Sequence, residues 1–132
     1  MNIGQLSKRV AVGIDTIRYY EKKGVLPKPL RLGSGAGYRR YTNEDVARLE
    51  FIRRAKALGF SLAEITNLLA LSDNAQADMS AVTAAAHQHL QTVKTKLIEL
   101  DRIRAGLEAL IEICPGQGEV KACPIISALS KD

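Results

Sequence analysis

From about Gln76 onward, Met79, Val82, Ala86, Leu90, Val93, Leu97, Leu100, Ile103, Leu107 and Leu110 recur at alternating three- and four-residue steps, with polar residues between them and no proline before Pro115. The pattern predicts one uninterrupted helix over 76–112, about 37 residues and about 55 Å long at the standard rise. Such a helix has no partner of its own length elsewhere in a chain of 132 residues. Its apolar stripe is therefore expected to be buried against a second copy, as a dimerisation coiled coil.

The residues ahead of it read as a compact helical module over 1–71. Ile3, Leu6 and Val10 share helical spacing, and Gly13 breaks that helix before a second one, opening at Asp15 or Thr16 and ending at Gly24. Two short helices joined by a tight turn make a helix-turn-helix candidate. After Pro27 and Pro29, the run RLGSGAGYRRYT places three glycines before alternating bulky residues, which predicts a small β wing. Thr42 with Asp45 marks the start of a third helix carrying Val46, Leu49, Phe51 and Ile52, and Ser61 with Glu64 marks a fourth. Residues 113–132 remain as a loop with a short helix starting at Pro124. The expected fold is all-α with a small β wing: a winged helix-turn-helix domain, a long dimerisation helix and a C-terminal loop.

Charge divides along the same line. Residues 1–60 hold 13 basic and 5 acidic residues, against 6 and 9 in 61–132, so the N-terminal half is the one suited to a polyanion. A short helix bearing Arg18, Tyr19, Lys22 and Lys23 fits the DNA major groove, and Arg39 and Arg40 on the wing reach flanking phosphates. No stretch approaches the roughly 18–20 apolar residues of a membrane span and no signal-peptide pattern opens the chain, so a soluble, cytoplasmic protein is expected. An enzyme is not: the sequence has no GxxxxGK[ST], HExxH or GxSxG motif.

Two cysteines occur, Cys114 and Cys123, separated by PGQGEVKA. Composition alone leaves them as metal ligands, a disulfide or inert thiols. Thiolates are soft donors that select ions such as Cu(I), or bind Zn(II) within a larger set, and the intervening segment offers no histidine or further cysteine. Two thiolates alone suit a monovalent ion. Pro115, Gly116 and Gly118 allow a tight loop, and a helix from Pro124 would aim its first amides at the sulfurs and favour the Cys123 thiolate. His87 and His89 lie two residues apart on a helix, pointing about 200° from each other, and so cannot chelate one ion together.

MNIGQLSKRV, DTIRYYEKKGVL, GYRRYT, RLEFIRRAKALGFSLAEI, the long helix and the Cys-Pro-Gly loop together resemble the MerR family of transcriptional regulators over essentially the whole chain. The resemblance implies an antiparallel coiled-coil dimer that binds promoter spacer DNA and, with effector bound, distorts it so that RNA polymerase can use it. It places Arg18, Tyr20, Arg39 and Tyr41 at DNA-backbone contacts; the full expected DNA-binding set is Thr16, Arg18, Tyr19, Tyr20, Lys22, Arg31, Tyr38, Arg39 and Tyr41.

ICPGQGEVKACPIISAL further resembles the copper-responsive branch, which makes Cys114 and Cys123 the metal ligands. The eight residues between the cysteines match the mercury branch better than the seven of the copper one. Divalent sensors of the family carry a third cysteine 35 residues before the first loop cysteine, and here that position is Met79, expected to wall the site or ligate weakly. The expected effector is Cu(I), with Ag(I) or Au(I) beside it. The alternatives are Zn(II), Cd(II), Hg(II) or Pb(II) at the same cysteines, and then a two-cysteine redox switch.

Overall fold

The structure is a computed structural model that describes residues 1–29 and 40–130. The described residues form six α-helices and a short 3-10 turn, with no strand among them. Of the run expected to form the β wing, residues 31–42, positions 31–39 lie outside the described residues, Arg31, Tyr38 and Arg39 among them, and 40–42 carry no strand. The chain divides into two compact units, Met1–His87 and Gln88–Asp132.

The first unit is built from α1 (Ile3–Val10), α2 (Ile14–Lys22), α3 (Asn43–Ala57), α4 (Leu62–Asp73) and the opening turns of α5 (Met79–Ile113). Short polar motifs set where its helices start. The Gln5 N–H donates to Asn2 Oδ1 at 2.8 Å and the Asn2 N–H to Gln5 Oε1 at 2.9 Å; Ser61 and Glu64 exchange the same pair at 3.1 and 2.9 Å. At α3 the Thr42 N–H donates to the Asp45 carboxylate at 2.8 Å. Each pair satisfies amides that a helix start otherwise leaves open.

The start of α2 departs from the expectation of an Asp15 or Thr16 cap. Gly13 is the capping residue, in extended conformation, and no side-chain oxygen caps the helix. Nor does glycine make the turn before it: the left-handed residue is Ala11, at φ 55°. That conformation costs a non-glycine residue about 1–2 kcal/mol. Two bonds hold it in place, Val12 N–H to the Ser7 carbonyl at 3.2 Å and the Ser7 hydroxyl to the Val12 carbonyl at 2.6 Å.

Every fully sequestered apolar side chain lies between Leu6 and Leu69. Leu6 and Val10 of α1, Ile17 of α2, Leu49 and Ile52 of α3 and Ile65 of α4 meet with Val25 and Leu26 in one core. Phe51, expected on the apolar face of α3, is instead partly exposed, because Val46, Leu49, Ile52 and Ala55 define a stripe that leaves the residue beside Ile52 pointing outward. Arg48 and Asp73 add a 2.9 Å ion pair between α3 and the end of α4, partly exposed and so of small weight.

A polar contact lies within this core. Glu21 and Tyr41 are both buried, and the Tyr41 hydroxyl donates to Glu21 Oε1 at 2.9 Å, tying the end of α2 to the residue ahead of α3. Tyr41→Phe is expected to lower the unfolding free energy by about 1–3 kcal/mol, since it removes a buried hydrogen bond without creating a cavity. Urea unfolding of the full chain measures this, and an unchanged midpoint would show that the bond adds nothing.

The second unit holds the remainder of α5, a 3-10 turn at Val120–Ala122 and α6 (Pro124–Leu129). The long helix starts three residues after the expected position, at Met79, where Asp78 Oδ1 accepts the Ser80 N–H at 3.2 Å. In the single chain Val82, Leu90, Leu97, Leu100, Ile103 and Leu107 are all exposed, with Leu97 and Leu100 at 60 % each. The stripe expected to meet a second copy is therefore open in the single chain.

Candidate metal centre and nucleic-acid interface

The metal-site candidate is assembled by the end of α5 and the start of α6. Cys114 follows the last residue of α5, and its N–H bonds the Ile111 carbonyl at 3.2 Å. Cys123 caps α6 and accepts the Ser127 N–H on its carbonyl at 3.1 Å. Between them the chain reverses through Gly116 and Gly118, both with positive φ, 80° and 116°, where a side chain would be strained. The Val120–Ala122 turn then delivers Cys123 beside Cys114, with the two sulfurs 3.8 Å apart and both residues half-buried.

This pair fits a soft ion. Two bonds of the zinc–thiolate length, about 2.3 Å, span about 3.8 Å at a tetrahedral angle and about 4.6 Å in line, so either geometry is reached by a sulfur movement below about 1 Å. Among the described residues no group of three or more His, Cys, Asp and Glu side chains converges.

The first amides of α6 act on Cys123. The Ile126 N–H facing its sulfur lowers the thiol pKa from its ordinary value of 9.0; partial desolvation opposes this, and the Ile125 N–H and the Cys114 thiol add to the lowering. The folded loop thus favours the thiolate, and its conformation gains stability as pH rises through that titration and loses it as pH falls. In Cys114→Ala, alkylation of Cys123 by iodoacetamide is expected to have its pH midpoint below that of free cysteine, because the Ile126 amide remains. A midpoint at or above that of free cysteine would mean this amide does not reach the sulfur.

Met79 opens α5 and is 85 % exposed in the single chain; it belongs to the first unit and the cysteine pair to the second. His87 is exposed and His89 is buried, and neither adjoins the thiols in sequence.

The DNA-facing candidates sort by the faces of α2. Ile17, Tyr20 and Glu21 point into the core; Thr16, Arg18, Tyr19 and Lys22 are exposed. Burial, with the Tyr19 phenol beside it, pushes the Tyr20 hydroxyl above its ordinary pKa of 10.0, which keeps it a proton donor. Tyr20 and Tyr41 are thus packed residues, whereas Thr16, Arg18, Tyr19 and Lys22 form a solvent-facing polar and aromatic surface. Sequence reasoning did not single out Arg53, Arg54 and Lys56, which α3 also exposes; their helical spacing and charge were the available signal.

The model of the MerR HTH family of regulatory proteins matches residues 1–72, and that of the MerR DNA-binding family matches residues 46–110. The chain belongs to the MerR family. MerR-family relatives extend along nearly the whole sequence. The HTH-type transcriptional regulator CueR of Vibrio cholerae is 40 % identical over 98 % of this chain and 91 % of its own. The mercuric resistance operon regulatory protein of Bacillus cereus is 38 % identical over 98 % of this chain and 96 % of its own. In three dimensions, PbrR691 of Ralstonia metallidurans CH34 in complex with lead(II) matches at a TM-score of 0.86 and 35 % identity, covering 98 % of this chain and 99 % of that one. As a MerR-family member the protein is a DNA-binding transcriptional regulator that acts on promoter DNA as a dimer, and it is not an enzyme. No helix among the described residues is long and apolar enough to cross a membrane.

Proposed function

We propose that the protein is a homodimeric, cytoplasmic activator responding to Cu(I), and by the same chemistry to Ag(I) or Au(I). The observation that carries this reading is the pair of sulfurs 3.8 Å apart with no converging third donor among the described residues of the chain. Two soft thiolates complete the coordination of a monovalent ion, while a closed Zn(II) site asks for four ligands. Cys114 and Cys123 hold the ion, and Gly116 and Gly118 let the loop close over it. The change at the end of α5 and in α6 is then passed along α5 to the DNA-binding module. Coupling of this kind requires two states of the dimer that differ in metal affinity.

On the DNA side, Thr16, Arg18, Tyr19 and Lys22 of α2 meet the major groove, and Arg31, Tyr38 and Arg39 extend the contact from outside the described residues. Tyr20 and Tyr41 support that surface from within the core. RNA polymerase is the partner that benefits, through the promoter both proteins occupy.

A second reading, in which Hg(II), Pb(II), Cd(II) or Zn(II) is sensed, draws support from the eight-residue cysteine spacing and from the mercury and lead(II) named for two similar proteins. It needs ligands beyond the two thiolates, with Met79 where a third cysteine would stand. A redox switch ranks third.

Titration of the reduced dimer with Cu(I) and Zn(II) against competing chelators decides between the first two readings. The expected result is one tightly held two-coordinate Cu(I) per cysteine pair and weak Zn(II). Tight Zn(II) with three or four ligands would overturn the monovalent reading.

A further inference from the structure

On the solvent-facing side of α2, Tyr19 is 49 % exposed although its neighbour Tyr20 is buried. The exposed ring is held from two sides. Tyr20 lies against it with ring centroids 6.2 Å apart at a 53° tilt, and the Lys23 ammonium, one helical turn on, sits 5.7 Å from its centroid. Tyr20 is itself fixed by the core, so one side of this clamp does not move with solvent. The other side is a cation within the range at which a ring quadrupole attracts it.

We propose that Lys23 is a positioning residue for DNA recognition: it holds the Tyr19 ring in one orientation on the exposed face of α2, so that the ring meets the groove already ordered. The proposal rests on the reading of α2 as the DNA-facing helix. An aromatic side chain presented in one rotamer does not lose its freedom on binding, and the saving appears where the ring must fit, at a preferred sequence, more than at an arbitrary one. The lysine's own charge also attracts phosphate, but that attraction is the same for every sequence. The two roles therefore separate in the ratio of specific to non-specific affinity.

The test is a double-mutant cycle in the full-length dimer. A duplex is first selected by the wild-type protein from a randomised pool, and binding to it and to an unselected duplex is followed by fluorescence anisotropy across a salt series. Lys23→Gln is expected to lower the selected-to-unselected affinity ratio by about two- to fivefold per α2. The same substitution in a Tyr19→Leu background should leave the ratio unchanged, and Lys23→Arg should restore it, since a guanidinium also sits over a ring. All these side chains are exposed, so the variants are expected to fold as wild type does. Equal loss on both duplexes, with the salt slope reduced by about one, would overturn the proposal and leave Lys23 a phosphate contact. A fall in the ratio that persists in Tyr19→Leu would overturn it too. If the wild-type protein enriches no duplex at all, the DNA-facing reading of α2 fails and the proposal falls with it, an outcome distinct from a cycle that is merely additive.

Discussion

Cys123→Ser and Cys114→Ser are each expected to abolish the metal-dependent change in transcription, while affinity for promoter DNA should stay within about twofold of wild type, as for sites that share no partners. Serine keeps the size of the side chain and a hydrogen-bonding group, so the turn through Gly116 and Gly118 is retained. What it removes is one of two soft donors 3.8 Å apart, and a hydroxyl is a poor ligand for a soft monovalent ion. No group of three or more His, Cys, Asp and Glu side chains converges among the described residues, so none of these stands ready there to replace the lost thiolate. Transcription in vitro with and without Cu(I), run beside DNA binding for each variant, measures both halves of the expectation. The buried core of the DNA-binding module lies wholly between Leu6 and Leu69, and both cysteines belong to the second unit. Loss of DNA binding in both variants would therefore contradict the division of labour between the units, and retained induction in either would remove that cysteine from the site.

Features legible in the sequence were those with a local cause. The cap pairs Thr42–Asp45 and Ser61–Glu64 are three residues apart and need nothing beyond their own turn, and both occur in the structure. The long helix announced itself by periodicity and by the lack of proline before Pro115, and its observed bounds, Met79–Ile113, lie within three residues of the expectation. The turn before α2 was harder. Gly13 drew attention as the permissive residue, but the left-handed position is Ala11, stabilised by hydrogen bonds with Ser7 that no propensity scale contains. The faces of α2 were legible from spacing: Ile17 and Tyr20, three residues apart, share one face and go inward, while Tyr19 goes outward with Arg18 and Lys22. In the cysteine loop, spacing and glycines foretold a tight reversal. The 3.8 Å sulfur separation depends on the Val120–Ala122 turn, for which the sequence carries no strong signal.

Leu97→Asp with Leu100→Asp should convert the dimer to monomer and lower operator affinity by about 10²- to 10⁴-fold, the range over which linking two binding modules raises avidity. Both leucines sit mid-stripe on α5, and each exposes 60 % of its surface in the single chain, so pairing along the stripe would remove them from water. Burying such a side chain fully is worth about 1.5–3 kcal/mol, and a dimer carries each position twice. Aspartate forfeits that gain and places carboxylates in the apolar stripe. Sedimentation velocity measures the change in oligomeric state. Because the buried core of the DNA-binding module excludes every residue of α5 beyond its opening turns, the leucine variant should keep the wild-type unfolding transition for that module. A leucine variant that remains a dimer would move the interface off the stripe and remove the reason for its apolar periodicity.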